Sequence, residues 1–172
     1  MQWRLHAPAP CDIGPHPVTD DIDPDVAVHR RAGRSSGEFT MYFDAVALPA
    51  SDTYPTALQT ASSGLDPSTR LWAKTGLWFR PDVAFEIVVP EQLTGRLAAG
   101  WGGVPSSPGP GVVHPACPNA LHDWVVLAGG YWASQTMCAM VVVRVGDNEQ
   151  QARIGLGEPC PGQGPPGGPS DK

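Results

Sequence analysis

Four residues, His114, Cys117, His122 and Asp123, have the types and the spacing that could perform chemistry. Imidazole nitrogen and thiolate sulfur are ligands of zinc, and a histidine beside a carboxylate can act as an acid–base pair. A thiolate ligand has to be free, however, whereas a cysteine of an exported chain is expected to be half of a disulfide. We therefore predict no metal ion, no cofactor and no catalytic residue. The alternative is a secreted hydrolase or metal-dependent enzyme that uses His114, His122 and Asp123.

An acidic cluster, Asp20, Asp21, Asp23 and Asp25, could in principle bring several carboxylates to one calcium ion. The pattern of an EF-hand loop is not met, because no glycine occupies the sixth position and no glutamate closes the loop. The chain also lacks the G-x-S-x-G turn that carries the nucleophile of many hydrolases. These observations favour a solvated acidic turn and a protein that does not catalyse a reaction.

The four cysteines, Cys11, Cys117, Cys138 and Cys160, form an even set without a C-x-x-C pair. This arrangement favours two disulfides over zinc or thiol redox chemistry, and therefore predicts an extracytoplasmic, secreted or surface-anchored protein. Four cysteines permit three connectivities, which all remain open. A hairpin between residues 140–145 and 151–156 would place Cys138 near Cys160, and this register favours Cys138–Cys160 and Cys11–Cys117.

Charge and hydropathy limit the partners of the chain. The net charge of −6 argues against nucleic acid and anionic lipid, because both need clustered lysine and arginine. No apolar run approaches the roughly 20 residues of a membrane span, and the first ten residues lack the apolar core of a secretory signal. We expect that an N-terminal signal or anchor has been removed, since disulfides would require export.

The abundance of glycine and proline, 20 of each in 172 residues, predicts an all-β fold, since both residues destabilise helix interiors. Strand patterns recur about every ten to fifteen residues, which is typical of a β-sandwich with immunoglobulin-like or related topology. A jelly roll or a partly open barrel is the alternative. We predict an extended N-terminal arm over 1–24, the sandwich over 25–160, and a disordered Pro/Gly-rich tail over 161–172.

Two local patterns carry specific expectations. Residues 38–48 alternate and predict a single half-buried strand, with one face formed by Phe39, Met41, Phe43 and Ala45. Residues 51–68 are polar and turn-prone and predict a long loop with one helical turn at 56–61. Long loops in compact domains often carry function, so this loop is a candidate binding surface, although a packed connection is the more common case.

Aromatic residues give the one candidate ligand site. Trp101, Tyr131 and Trp132 follow or precede glycines, where a loop could present a ring to a sugar. Aromatic residues on strands more often pack in the core, and enrichment of aromatics marks both cores and interfaces. The pattern therefore favours core packing and leaves a binding platform as the alternative.

Several motifs along the chain resemble those of small actinobacterial proteins of no known activity that carry an N-terminal anchor and an extracytoplasmic β domain. The motifs are KTGLW at 74–78, GW at 100–101, CP at 117–118, GGYW at 129–132, Cys138, and IGLGEPCPGQ at 154–163. The resemblance covers most of the chain and implies export, but it implies no ligand and no catalytic residue. We therefore expect a non-catalytic binding or structural module of the cell envelope, with a protein or a cell-envelope glycan as its partner.

Overall fold

The computed structural model describes residues 39–102, 108–118 and 123–167. Within these ranges the regular elements are twelve β-strands and two 3₁₀ turns, at Pro67–Thr69 and Glu91–Leu93, which confirms the all-β class. The strands are β1 (Thr40–Tyr42), β2 (Val46–Leu48), β3 (Ala61–Ser62), β4 (Leu71–Lys74), β5 (Leu77–Phe79), β6 (Phe85–Val88), β7 (Leu97–Trp101), β8 (Gly111–His114), β9 (Val125–Leu127), β10 (Gly129–Ala133), β11 (Met137–Val145) and β12 (Asn148–Leu156). In this part of the chain no helix has the length and apolar character needed to cross a membrane.

The strands form three sheets of four strands each, and every pair within the sheets is antiparallel. The orders are β1-β2-β5-β9, β3-β4-β10-β7 and β12-β11-β6-β8, and none of the sheets closes into a barrel. Isolated bridges from Ala99 to Pro110 and from Leu58 to Leu156 connect the second sheet and its neighbouring segment to the third sheet. The structure therefore has three sheets, where a sandwich is described by two.

The first and second sheets share one continuous ladder. Residues 71–79 pair with residues 125–133 in a single register, and the N–H of Thr75 bonds to the carbonyl of Gly129 at 3.0 Å between the two sheets. On its other side Gly129 packs against β7, where a Cβ would lie 2.2 Å from the carbonyl oxygen of Gly100. Glycine at this position therefore allows β10 to pack closely against β7.

The core lies beneath the inner faces of the three sheets. On the third sheet, alternate residues of β6 and β11 are buried while their neighbours face outward, as the two-residue period of a strand requires. In β12 the first four residues are exposed and the last three are buried. Burial of these side chains is the main stabilising contribution to the fold. The largest fully buried aromatic and aliphatic side chains are Trp124, Tyr42, Tyr131, Phe79, Leu48, Leu77, Ile87, Ile154 and Leu156.

The predicted hairpin near the C-terminus is confirmed and is longer than the sequence indicates. β11 and β12 pair over nine residues each, from Val145 opposite Asn148 to Met137 opposite Leu156. The connection is the two-residue turn Gly146-Asp147, in which Gly146 has φ +58°. A glycine at the first position of such a turn matches the twist of the two strands.

The predicted single strand over 38–48 is wrong, because the chain turns in its middle. Phe43 and Asp44 have φ of +52° and +54°, and they join β1 to β2. Phe43 is 36% exposed, and the buried residue of β1 is Tyr42 and not Met41. The predicted helical turn over 56–61 is also wrong, since Thr56 and Leu58 pair with Gly164 and Leu156 in an extended conformation.

The disulfide Cys138–Cys160 confirms one predicted pair, with a Cα–Cα distance of 4.8 Å. It arises from the hairpin register, because Cys138 lies opposite Gly155 and the chain returns to it within five residues of that glycine. Cys117 is also disulfide-bonded. Its predicted partner Cys11 lies outside the described residues, as do the predicted arm over 1–24 and the acidic cluster, so that the second pairing stays a prediction.

The segment after Cys160 is held against the loop that follows β2. The side-chain amide of Gln163 donates to the carbonyl oxygens of Tyr54 at 2.8 Å and Thr56 at 3.1 Å, and its oxygen accepts from the N–H of Cys160 at 3.0 Å. Gly164 then accepts a backbone bond from Ala57. The prediction of a disordered tail from residue 161 therefore does not hold for Gln163 and Gly164.

Candidate functional site

The predicted aromatic platform is buried. Trp101 is 8% exposed, Tyr131 0% and Trp132 4%, because β7 and β10 are buried along their whole lengths. The indole N–H of Trp101 donates to the carbonyl oxygen of Thr75 at 2.9 Å, and its ring meets that of Tyr131 edge to face at 5.2 Å. The alternative of an exposed platform is therefore corrected: these rings pack in the interior and offer no open face for a sugar.

The other contacts of these residues are also internal. Trp132 lies 4.2 Å from Trp72, measured between ring centroids, and the two residues are directly opposite each other in the β10–β4 ladder. The hydroxyl of Tyr131 is buried and has no hydrogen-bond partner among the described residues. Burial raises the pKa of this phenol, because the charged form would lose its hydration. Tyr131 therefore stays neutral and packs as an aromatic core residue.

His114 ends β8 in the interior, at 2% exposure, between the rings of Phe79 and Phe85 at centroid distances of 4.7 and 5.2 Å. Its Nε2 lies 2.9 Å from the carbonyl oxygen of Pro81, which requires the Nε2–H tautomer as donor. Desolvation lowers the pKa of His114, although the bond to Pro81 acts in the opposite direction. His114 is therefore a neutral core residue. Its Nε2–H bonds to the carbonyl oxygen of Pro81, in the turn between β5 and β6.

Of the predicted alternative set, the structure describes His114, which is buried, and Asp123. The Sγ of Cys117 lies 3.9 Å from Nε2 of His114 but is part of a disulfide, so it is no thiolate ligand. Asp123 is exposed, and His122 lies outside the described residues. In the described ranges no group of three or more His, Cys, Asp or Glu side chains is placed to hold a metal ion.

An open groove lies on the outer face of the third sheet, with a volume of about 800 Å³. Its floor contains Val88, Met140 and Val142, which face away from the core and are half-buried. Val142 lies opposite Val88 on one side and opposite Gln151 on the other, so one cross-strand row crosses the floor. The 3₁₀ turn Glu91–Leu93 and its flanking residues form a wall.

The rim of the groove is charged. Arg144 lies 2.6 Å from Glu149 and 3.6 Å from Glu86, in the ladder row next to Val142. Its pKa is raised, first through the hydrogen bond to Glu149 and the charge of that residue, and then through Glu86. Glu91 adds a third carboxylate to the rim. Two carboxylates therefore flank the guanidinium, and with Glu91 the carboxylates at the rim outnumber the one arginine.

A smaller cavity of about 30 Å³ adjoins the groove and shares Val89, Thr94 and Pro110 with it. Its other lining residues, Leu97, Ala98 and Gly109, are apolar or lack a side chain, so it suits a small apolar group. The position after Pro110 requires glycine. Gly111 has φ +138°, and a Cβ there would lie 1.9 Å from the carbonyl oxygen of Ile87. The backbone of β8 at Gly111 therefore lies close against β6, next to this end of the groove.

The sequence patterns did not single out this groove. Val88, Met140 and Val142 are apolar residues in strands whose buried positions are also apolar, such as Ile87 and Val141, so the alternation does not separate the two faces. The one available signal is Arg144 in a run of aliphatic residues, which marks the outward face of β11. Comparison of the chain with protein-family models, with curated proteins and with solved structures finds no match.

Proposed function

We propose that this chain is an exported, non-catalytic binding module of the cell envelope, which holds an extended peptide segment of a partner protein in the groove of the third sheet. The observation that carries the proposal is the row of half-buried valines, Val88 and Val142, at the floor of an open groove of about 800 Å³. Binding sites for small ligands have similar volumes, and exposed apolar surface rimmed by polar residues is typical of interaction sites.

Export is supported by the cysteine chemistry. Cys138 and Cys160 form a disulfide, and Cys117 is disulfide-bonded as well. Disulfides form and persist in oxidising compartments and are rare in the cytosol of mesophiles. The proposed packing is an immunoglobulin-like or related sandwich, in which the continuous first and second sheets form one layer and the third sheet forms the other.

A peptide fits the groove better than a glycan. Sugar rings stack on exposed aromatic faces, but the candidate rings Trp101, Tyr131 and Trp132 are buried and the groove floor is aliphatic. The row from Gln151 through Val142 to Val88 spans two strand spacings, or about 10 Å, which matches about three residues of an extended peptide. The groove therefore suits alternating apolar side chains with a polar backbone between them.

The charge of the groove favours a basic residue on that peptide. Glu86, Glu91 and Glu149 outnumber Arg144 at the rim, and the whole chain has a net charge of −6. A lysine or arginine near Glu91 would complete the charge pairing, mainly by steering and orienting the peptide. His114, His122 and Asp123 take no part in the proposal, because His114 is enclosed by Phe79 and Phe85.

Selection from a displayed library of random decapeptides on the immobilised chain tests the binding function. The expected enriched motif contains alternating aliphatic residues and a flanking lysine or arginine. Digested peptidoglycan, added in the same assay, should not compete with the selected peptides. Failure to enrich any motif, or competition by the glycan fragments, would contradict a peptide groove.

Export is tested separately in cells that express the full-length gene with a C-terminal tag. A membrane-impermeant biotin reagent, applied to intact cells, should label the tagged protein if it is anchored at the surface, and the tag should appear in the medium if the protein is secreted. Recovery of unlabelled protein from the cytoplasm alone, with reduced cysteines, would overturn the assignment to the envelope.

A further inference from the structure

The outer edge of β12 has backbone groups that point away from β11. The two-residue turn makes Val145 and Asn148 a hydrogen-bonded pair, so the alternate residues of β12 direct their N–H and C=O groups outward. Farther along the strand, Arg153 and Gly155 are two of the residues that point outward. Their carbonyl oxygens accept hydrogen bonds from the N–H groups of Ser51 and Leu58 at 2.8 Å. Glu149 and Gln151 alternate in step with these two residues, so their backbone N–H and C=O groups also point away from β11.

The first half of this edge is open. The N–H groups of Ser51 and Leu58 cover the edge only at Arg153 and Gly155, whereas no described residue makes a backbone bond to the outer edge of Glu149 or Gln151. The four residues from Asn148 to Gln151 are all exposed. The open half thus provides two N–H and two C=O groups in one extended segment.

This edge also lacks the features that usually prevent pairing with another strand. Residues 148–152 contain no proline and no lysine, and the β11–β12 register runs without a bulge. Exposed edges that lack such features are templates for strand addition. The one charged side chain, Glu149, is already paired with Arg144 on the outer face.

We propose that the open edge of β12 pairs with the same edge of a second copy of this chain, antiparallel about a two-fold axis at Gln150. In this register Glu149 of each copy lies opposite Gln151 of the other, so no like charges are directly opposite each other. Glu149 and Gln151 are also the two residues of this segment whose backbone N–H and C=O groups point away from β11 and toward the second copy. The segment is therefore complementary to itself in both hydrogen bonding and charge.

The proposed dimer extends the third sheet across the axis. Side chains of Glu149 and Gln151 share the outer face with Val142, so the grooves of the two copies open on the same side of the joined sheet. Two grooves on one side would give avidity toward a repeated or clustered peptide partner. Pairing itself requires no peptide, so its failure would leave the proposed binding function untouched.

Sedimentation velocity on the full chain across micromolar to millimolar concentrations tests the pairing. We expect a reversible dimer of twice the 18.1 kDa chain mass. The variants Gln150→Lys and Gln150→Glu place like charges opposite each other at the axis, and each should dissociate several-fold more readily than the wild type. An equimolar mixture of the two variants should restore association.

The matched control is Gln135→Lys, which adds the same charge at an exposed site outside β12 and outside the groove, and it should dimerise as the wild type does. A wild-type chain that is monomeric up to millimolar concentration would overturn the proposal. A dimer that Gln150→Lys does not weaken would overturn it as well, because the two-fold axis could not then lie at Gln150.

Discussion

Val142 of β11 lies directly opposite Val88 of β6, and both valines face away from the core while remaining half-buried. The pair is partly covered by the wall at Glu91–Leu93 and by Pro110, which turns a flat sheet face into a groove. A flat, fully solvated face would carry polar residues at such positions. The pair thus links the packing of the third sheet to the proposed binding of a peptide.

The disulfide between Cys138 and Cys160 should contribute strongly to stability. It closes a segment of 22 residues, and the loss of chain entropy in the unfolded state corresponds to about 3 kcal/mol. We expect the double variant Cys138→Ala, Cys160→Ala to lose about this free energy of unfolding in urea denaturation. A midpoint equal to that of the wild type would show that the disulfide does not constrain the unfolded chain.

The side chain of Gln163 should be required for docking of the C-terminal segment. Gln163→Ala removes two donated bonds and one accepted bond, leaving the carbonyls of Tyr54 and Thr56 without this partner. We expect a loss of about 1 to 3 kcal/mol in the free energy of unfolding. The control Gln150→Ala, at an exposed position, should change it by less than about 0.5 kcal/mol. Equal effects of the two variants would contradict the role of Gln163.

His114 should make the folded state sensitive to acid. Its pKa is lowered in the folded state, so the unfolded state binds the proton more readily, and stability is lost as the pH falls below the ordinary histidine pKa of about 6.5. Above that pH this contribution is fully present. The variant His114→Gln keeps an N–H donor for Pro81 without a titrating ring.

Urea denaturation between about pH 8 and about pH 5 measures this effect. The wild type should lose more stability than His114→Gln over this interval, whatever the difference between the two at the higher pH. The same loss in both proteins would mean that protonation of His114 does not oppose folding.

The hairpin β11–β12 and the disulfide could be predicted because their determinants are local. A turn with glycine joins two strands of β-forming residues, and the register then brings Cys138 close to Cys160. The turn at Phe43 and Asp44 could not be predicted in the same way. Both residues adopt positive φ, which Asn-Gly or Asp-Gly sequences favour, and the alternation continues through the turn.

The groove could not be predicted because it depends on which elements pack over a sheet. Val88 and Val142 are 54 residues apart, and only the pairing of β6 with β11 makes them neighbours. The sequence does predict that Trp101 and Tyr131 lie on or beside strands and pack in the core. Both side chains are buried in the structure. Their glycine neighbours permit close backbone approach between strands, as at Gly129 and Gly100, and do not present the rings to solvent.

The most direct test of the peptide groove is titration of the full chain with the synthetic decapeptide that the library selection enriches. Val142→Glu places a charge on the groove floor and should weaken binding by about tenfold or more. The matched variant Val126→Glu makes the same change at a half-buried position of β9, in the first sheet and outside the groove lining, and should bind as the wild type does. Equal binding by both variants, or equal loss in both, would contradict the assignment of the groove as the binding site.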